Sequence, residues 1–173
     1  LSPRAFTVRK PMNVQFPVLI LLLAGHAVAG QQPVQSPSQD ETLAKWPWSI
    51  SLQTAPFKRE AIQITLAPKE GMEYKYRLEK GAGMLYSWTS TGVIHWELHS
   101  QPDGAPSGYA EFFDTNDGDR SHGVYSAPFP GIHGWWWENQ SDREVTISLT
   151  SAGFYTETHE FRRGMPVKIT QVE

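Results

Sequence analysis

From residue 59 to about residue 161, apolar and polar side chains alternate with a period of two, in short runs bounded by Gly, Pro, Asp or Ser. Ile62, Ile64 and Leu66 alternate with Gln63 and Thr65, and Met72, Tyr74, Tyr76 and Leu78 alternate with Glu73, Lys75, Arg77 and Glu79. Successive side chains of a strand point to opposite faces, so each run is a strand with one dry face and one wet face. Further runs at 84–88, 94–98, 109–113, 123–126, 133–137, 145–149 and 154–161 are separated by turn residues such as Thr91-Gly92, Pro102-Asp103-Gly104 and Asp117-Gly118. No stretch after residue 45 keeps a helical period, and no long internal repeat is present. The spacing predicts an all-β fold, an antiparallel β-sandwich of jelly-roll type over residues 59–163, with a C-terminal tail at 164–173.

Nothing covalent can staple that sandwich, because the chain has no cysteine. Its core must hold it, and thiolate catalysis and Cys-type zinc sites are excluded with the disulfides. The whole chain carries a formal charge of −3, but Arg4, Arg9 and Lys10 lie in the first 29 residues with no acid among them. The remainder has 12 basic and 18 acidic side chains, a net charge of −6. With no Lys/Arg stripe it lacks the surface that nucleic-acid binding requires, so no nucleic-acid partner is expected.

The basic residues precede an apolar run at 16–25 and the small-residue triplet Ala27-Val28-Ala29. This pattern reads as a signal peptide over 1–29, cleaved after Ala29. A short membrane anchor is the alternative, although the uninterrupted run of ten residues is half of the roughly 20 that a spanning helix needs. A start at Met12 would discard all three basic residues, so an upstream or non-Met start fits the leader better. Either reading predicts an extracytoplasmic domain, periplasmic or anchored to the inner membrane facing the periplasm. Residues 30–58 read as a polar linker followed by an N-terminal arm, with Trp46-Pro47-Trp48, Ile50 and Leu52 laid onto the domain.

Several segments carry a resemblance. Gly71-Met72-Glu73-Tyr74-Lys75-Tyr76-Arg77-Leu78, Tyr86-Ser87-Trp88-Thr89, the stretch His99-Ser100-Gln101-Pro102-Asp103-Gly104-Ala105-Pro106, and above all Gly131-Ile132-His133-Gly134-Trp135-Trp136-Trp137-Glu138-Asn139 followed by the strand from Val145 resemble a bacterial family described as transmembrane anchor proteins. The last of these segments is also similar, more loosely, to the final strands of GOLD-type β-sandwiches. The resemblance covers roughly residues 59–161 and implies a β-sandwich interaction module at the cell envelope. Family members tend to carry a longer N-terminal hydrophobic helix and an Ala/Pro-rich spacer, and this chain departs from both.

Candidate chemistry is sparse. His95, Glu97 and His99 fall on one face of a strand while Ile94, Trp96 and Leu98 fall on the other. Two imidazoles and a carboxylate on one face suit a divalent transition metal, as in cupin-like sites, with His133 or His122 as a further ligand if their strands come near. The bland alternative is a solvated strand face. Trp135 and Trp137 read as core, whereas Trp88, Trp96 and Trp136 are the candidates for a glycan-binding aromatic platform. The acidic stretch 114–119 reads as a solvated hairpin turn, since the twelfth position of an EF-hand count from Asp114 is Tyr125. Asn139-Gln140-Ser141 matches a glycosylation sequon by chance. No nucleophile elbow, His-Glu-x-x-His helix or phosphate loop occurs.

The expected function is therefore an exported, non-enzymatic binding module of GOLD-like type with no required cofactor, contacting an envelope protein or glycan through its aromatic and histidine-bearing surface. Membrane association would run through the N-terminal segment. The rivals are a periplasmic metal-binding protein or metal-dependent cupin-like enzyme built on His95, Glu97 and His99, and a carbohydrate-binding module.

Overall fold

The computed structural model describes Lys45 and residues 51–172. The signal or anchor segment, the cleavage site and the Trp46-Pro47-Trp48 arm with Ile50 lie outside the described residues, and Leu52 stands 92% exposed.

Eight strands follow in chain order: β1 (Lys58–Leu66), β2 (Gly71–Leu78), β3 (Gly83–Pro102), β4 (Glu111–Ser126), β5 (Gly131–Glu138), β6 (Val145–Gly153), β7 (Tyr155–Arg162) and β8 (Lys168–Gln171). All their pairings are antiparallel. They join into one sheet in the order β1-β6-β3-β5-β2-β7-β8, with β4 on the other edge of β3. The fold is thus all-β, antiparallel and sandwich-like, its two layers being halves of a single curled sheet.

The corner of that sheet is β3, whose 20 residues far exceed the usual strand of about 5 to 6. Its first half pairs with β6, from Met84↔Gly153 to Ser90↔Ile147. Its second half pairs with β5, from His95↔Glu138 to Pro102↔Gly131. Between them the sheet divides into two wings, β6-β1 and β5-β2-β7-β8. The Thr91-Gly92 turn read from the sequence is therefore not a turn but the bend of one continuous strand. Side chains replace the ladder bonds lost there: Thr91 Oγ1 accepts the Thr146 N–H at 3.0 Å, and Ser90 Oγ donates to the Gly92 carbonyl.

The acidic stretch 114–119 is likewise not a turn. It lies inside β4, paired with β3 from Leu98↔Asp114 to Ile94↔Gly118. Among the described residues β4 pairs only with β3, which leaves its other edge open, and its carboxylates stay wet. Charges on an open edge also discourage pairing with a further strand. The segment after residue 163 is more than a tail, because β8 pairs with β7 from Glu157↔Gln171 to Glu160↔Lys168.

Both wings bury their inner faces in one core. Trp135 and Trp137 are 0% exposed, and Trp88 is 1% exposed. The Trp135 and Trp137 rings stack at 5.6 Å, and Trp88 meets Trp137 edge-on at 5.9 Å and Trp96 at 5.8 Å. Edge-on and stacked aromatic pairs add to the transfer energy of such large apolar surfaces. β1 is bound to the opposite wing by its Glu60 carboxylate, which accepts from the Tyr74 and Tyr76 hydroxyls at 2.9 Å each. Asn139 clamps the β5–β6 connection. Its buried Nδ2 donates to the carbonyls of Leu66, Ala67 and Arg143, and its Oδ1 accepts from Ser141. An amide so engaged is a structural part of the loop.

Candidate functional site

The residues singled out in the sequence divide between the two faces of the sheet. Trp88 and Trp96, read as platform candidates, are corrected to core residues, at 1% and 6% exposed. The alternation that places His95 outward requires Trp96 inward, so that signal was present in the sequence. His133, offered as a metal ligand, is corrected too. It faces inward opposite Ser100, on the reverse of the sheet from His95, Glu97 and His99. His122 is exposed and pairs with Ser87 in the first half of β3, beside β6 rather than β5.

Buried His133 belongs to a polar chain within the core. Its Nε2 donates to the Phe129 carbonyl at 3.1 Å, so Nδ1 accepts the Tyr125 hydroxyl at 2.8 Å, and the Tyr125 oxygen is left to accept from Ser100 Oγ at 3.1 Å. Burial lowers the His133 imidazole to about 4, the Phe129 contact opposing this only in part. The folded state therefore resists a proton that the unfolded chain takes up near 6.5. Stability is retained above that value and lost as pH falls toward 4, by about 3 kcal/mol from this group. Denaturant titrations at pH 7 and pH 4 on the parent and on His133→Gln test this, and the variant should lose that much less. Equal losses in both would show that His133 does not carry the acid sensitivity.

On the outer face the structure brings His95, Glu97, His99 and Trp136 together and adds Glu73, Lys75 and Asp117. Glu97 stands opposite Trp136 on β5, and Trp136 stands opposite Glu73 on β2. The Asp117 carboxylate lies 2.8 Å from His95 Nδ1 and raises the imidazole's pKa. Glu97 bridges the two imidazoles, at 3.7 Å from His95 Nε2 and 3.7 Å from His99 Nδ1. His99 Nε2 lies 3.5 Å from Glu73 Oε2, and Phe112 covers the His99 ring at 5.1 Å.

Lys75 sits at the centre of this arrangement. Period-two reading makes it a wet residue, yet its side chain is fully buried. Its register partner on β5 is Gly134, which offers no side chain, and the lysine stem crosses that gap until Nζ donates to the His99 carbonyl on β3 at 2.9 Å. Nζ also lies 3.6 Å from Glu73 Oε2. Burial pushes the ammonium down to about 8, against the pull of Glu73 and Glu97. Burial pulls the Glu73 carboxyl up, but His99 and the Lys75 charge outweigh it and hold its pKa below the ordinary value.

The cluster thus contains a buried ammonium beside Glu73 and the His99 carbonyl. Among the described residues no three of His, Cys, Asp and Glu are grouped so as to hold a metal. What the face offers is a set of partly exposed carboxylates and an imidazole beside a partly buried indole. A groove of about 610 Å³ on the outer face of the other wing, lined by Ala61, Leu85, Ser87, Thr150 and Ala152, contains none of these residues.

No family model and no curated protein matches the chain. Among solved structures, the crystal structure of Aeromonas hydrophila PliG, a periplasmic lysozyme inhibitor of g-type lysozyme, is similar over 60% of this chain and 92% of that chain. The TM-score is 0.40 and the identity 17%. A likeness that loose carries no function across.

Proposed function

We propose that the chain is an exported, non-enzymatic binding module of the cell envelope, of the GOLD-like kind that the sequence resemblance implies. Its contact surface is the outer face of β3, β5 and β2 around Trp136. One observation carries this reading: Trp136, His95, Glu97 and Glu73, from three strands, meet on one partly exposed face, with the buried Lys75 ammonium 3.6 Å from Glu73. Groups gathered on one face by paired strands are preorganised to meet a ligand. The basic leader, apolar run and Ala27-Val28-Ala29 supply the export signal. The partner is an envelope protein or glycan.

Two measurements test the reading. Intact mass of the exported chain should give a mature N-terminus at Gly30, whereas a chain kept in the cytoplasm would contradict it and a full-length membrane-held chain would replace cleavage by anchoring. Cosedimentation with isolated envelopes should then fall at least about tenfold on combining Trp136→Ala with Glu97→Gln. Unchanged sedimentation of that folded variant would remove the face from the account.

A further inference from the structure

We propose that Trp136 is a stacking platform for a sugar ring and that Gly71 is the positioning residue that lays it down. This rests on the binding face assigned above and names its ligand class.

A β-carbon built at Gly71 would stand 2.3 Å from Trp136 Cζ2, 2.5 Å from Cη2 and 3.2 Å from Cε2. The six-membered ring of the indole therefore occupies the space into which a side chain at residue 71 would project. An indole in that place lies down over the β2 backbone instead of standing off the sheet. Gly71 is not among the positive-φ glycines, so its backbone accepts any residue. The demand for glycine comes from the ring alone.

The flanks decide what such a ring can receive. Its register partners are Glu73 on one side and Glu97 on the other, with side chains 23% and 29% exposed. Two imidazoles lie 3.7 Å from Glu97, and Glu73 Oε2 lies 3.5 Å from His99 Nε2 and 3.6 Å from Lys75 Nζ. The cores of protein–protein interfaces are depleted of charged residues, and their aromatic anchors fill desolvated pockets. An indole between two carboxylates fits that pattern poorly. A pyranose suits it well, since its C–H face packs on the ring while its hydroxyls donate to carboxylate oxygens at the rim.

The test uses the full chain and the soluble glycans cellohexaose, chitohexaose and maltohexaose, with purified murein sacculi as the insoluble probe. Binding is followed by calorimetry and by the Trp136 indole N–H resonance. At least one glycan should bind and shift that resonance. Trp136→Ala should weaken binding about tenfold or more, and Trp136→Phe by less. Gly71→Val keeps the indole but lifts it, and should weaken binding as Trp136→Ala does. If Gly71→Val fails to fold, the Ala and Phe pair carries the test. No binding of any glycan at millimolar concentration, or equal binding by parent and Trp136→Ala, overturns the proposal. An envelope protein cross-linked at this face, with no glycan bound, would overturn the sugar while leaving the binding face standing. A loss of envelope association from neither variant would overturn both.

Discussion

Trp137→Ala should lower the stability of the domain by about 3 to 5 kcal/mol, the usual cost of truncating a buried aromatic and leaving a cavity. The ring is 0% exposed, stacked on Trp135 and met edge-on by Trp88, so its loss opens the core where the two wings meet. Against a typical total of about 5 to 15 kcal/mol, this is a large fraction, equivalent to a drop in melting temperature of roughly 10 °C or more. Trp136→Ala, one residue away on the partly exposed opposite face, should cost clearly less, about 1 to 2 kcal/mol, because it leaves no enclosed cavity. The contrast reads the strand register directly, because a shift of one residue would exchange the two outcomes. Thermal melts of both variants check it, and similar losses would contradict the placement of β5.

Gly134→Ala should be comparably severe, at about 4 kcal/mol, an exceptional value for the addition of one methyl. A β-carbon there would lie 2.2 Å from the Tyr74 carbonyl oxygen and 3.0 Å from Lys75 Cα, and both are backbone atoms of the neighbouring strand. Relief would require β2 and β5 to separate in the middle of the sheet. The Gly134 φ of 157° adds strain of its own for a residue with a side chain. Gly83→Ala is the control, since nothing lies within 4 Å of the added carbon and its φ is ordinary. It should change stability by less than about 0.5 kcal/mol. A chemical denaturation series on the two variants that ranked them equal would show the close approach to be wrong.

Much of this fold is written in the period of two. The alternation fixes which residues of β1, β2, β5 and β6 face the core, and Trp135 and Trp137 follow from it. Where the reading fails, local signals were overruled by partners far away in sequence. Thr91-Gly92 and Asp117-Gly118 have turn composition, yet both lie inside long strands: Asp117 and Gly118 are paired with His95 and Ile94, and Thr91-Gly92 falls at an irregularity between Thr89 and Ile94 across which β3 runs on, so the pairing on either side outweighs two weak breakers.

The candidate site was half legible. His95, Glu97, His99 and Trp136 were readable as outward residues of strands. Their convergence was not, because it depends on β5 lying between β3 and β2, an order that no local pattern encodes. Lys75 was missed for a related reason. Its burial arises from Gly134 on a different strand, and Gly134 in the sequence is only a small residue before three tryptophans.

The central claim is that the outer face of β3, β5 and β2 contacts an envelope component. It is tested most directly by placing a photo-crosslinking amino acid at Glu138, on that face, and at Leu85, in the groove of the other wing, in the exported full chain. The account predicts a discrete adduct from position 138 that disappears in the Trp136→Ala background, and none from position 85. An adduct from position 85 alone, or one from 138 that survives Trp136→Ala unchanged, would contradict it.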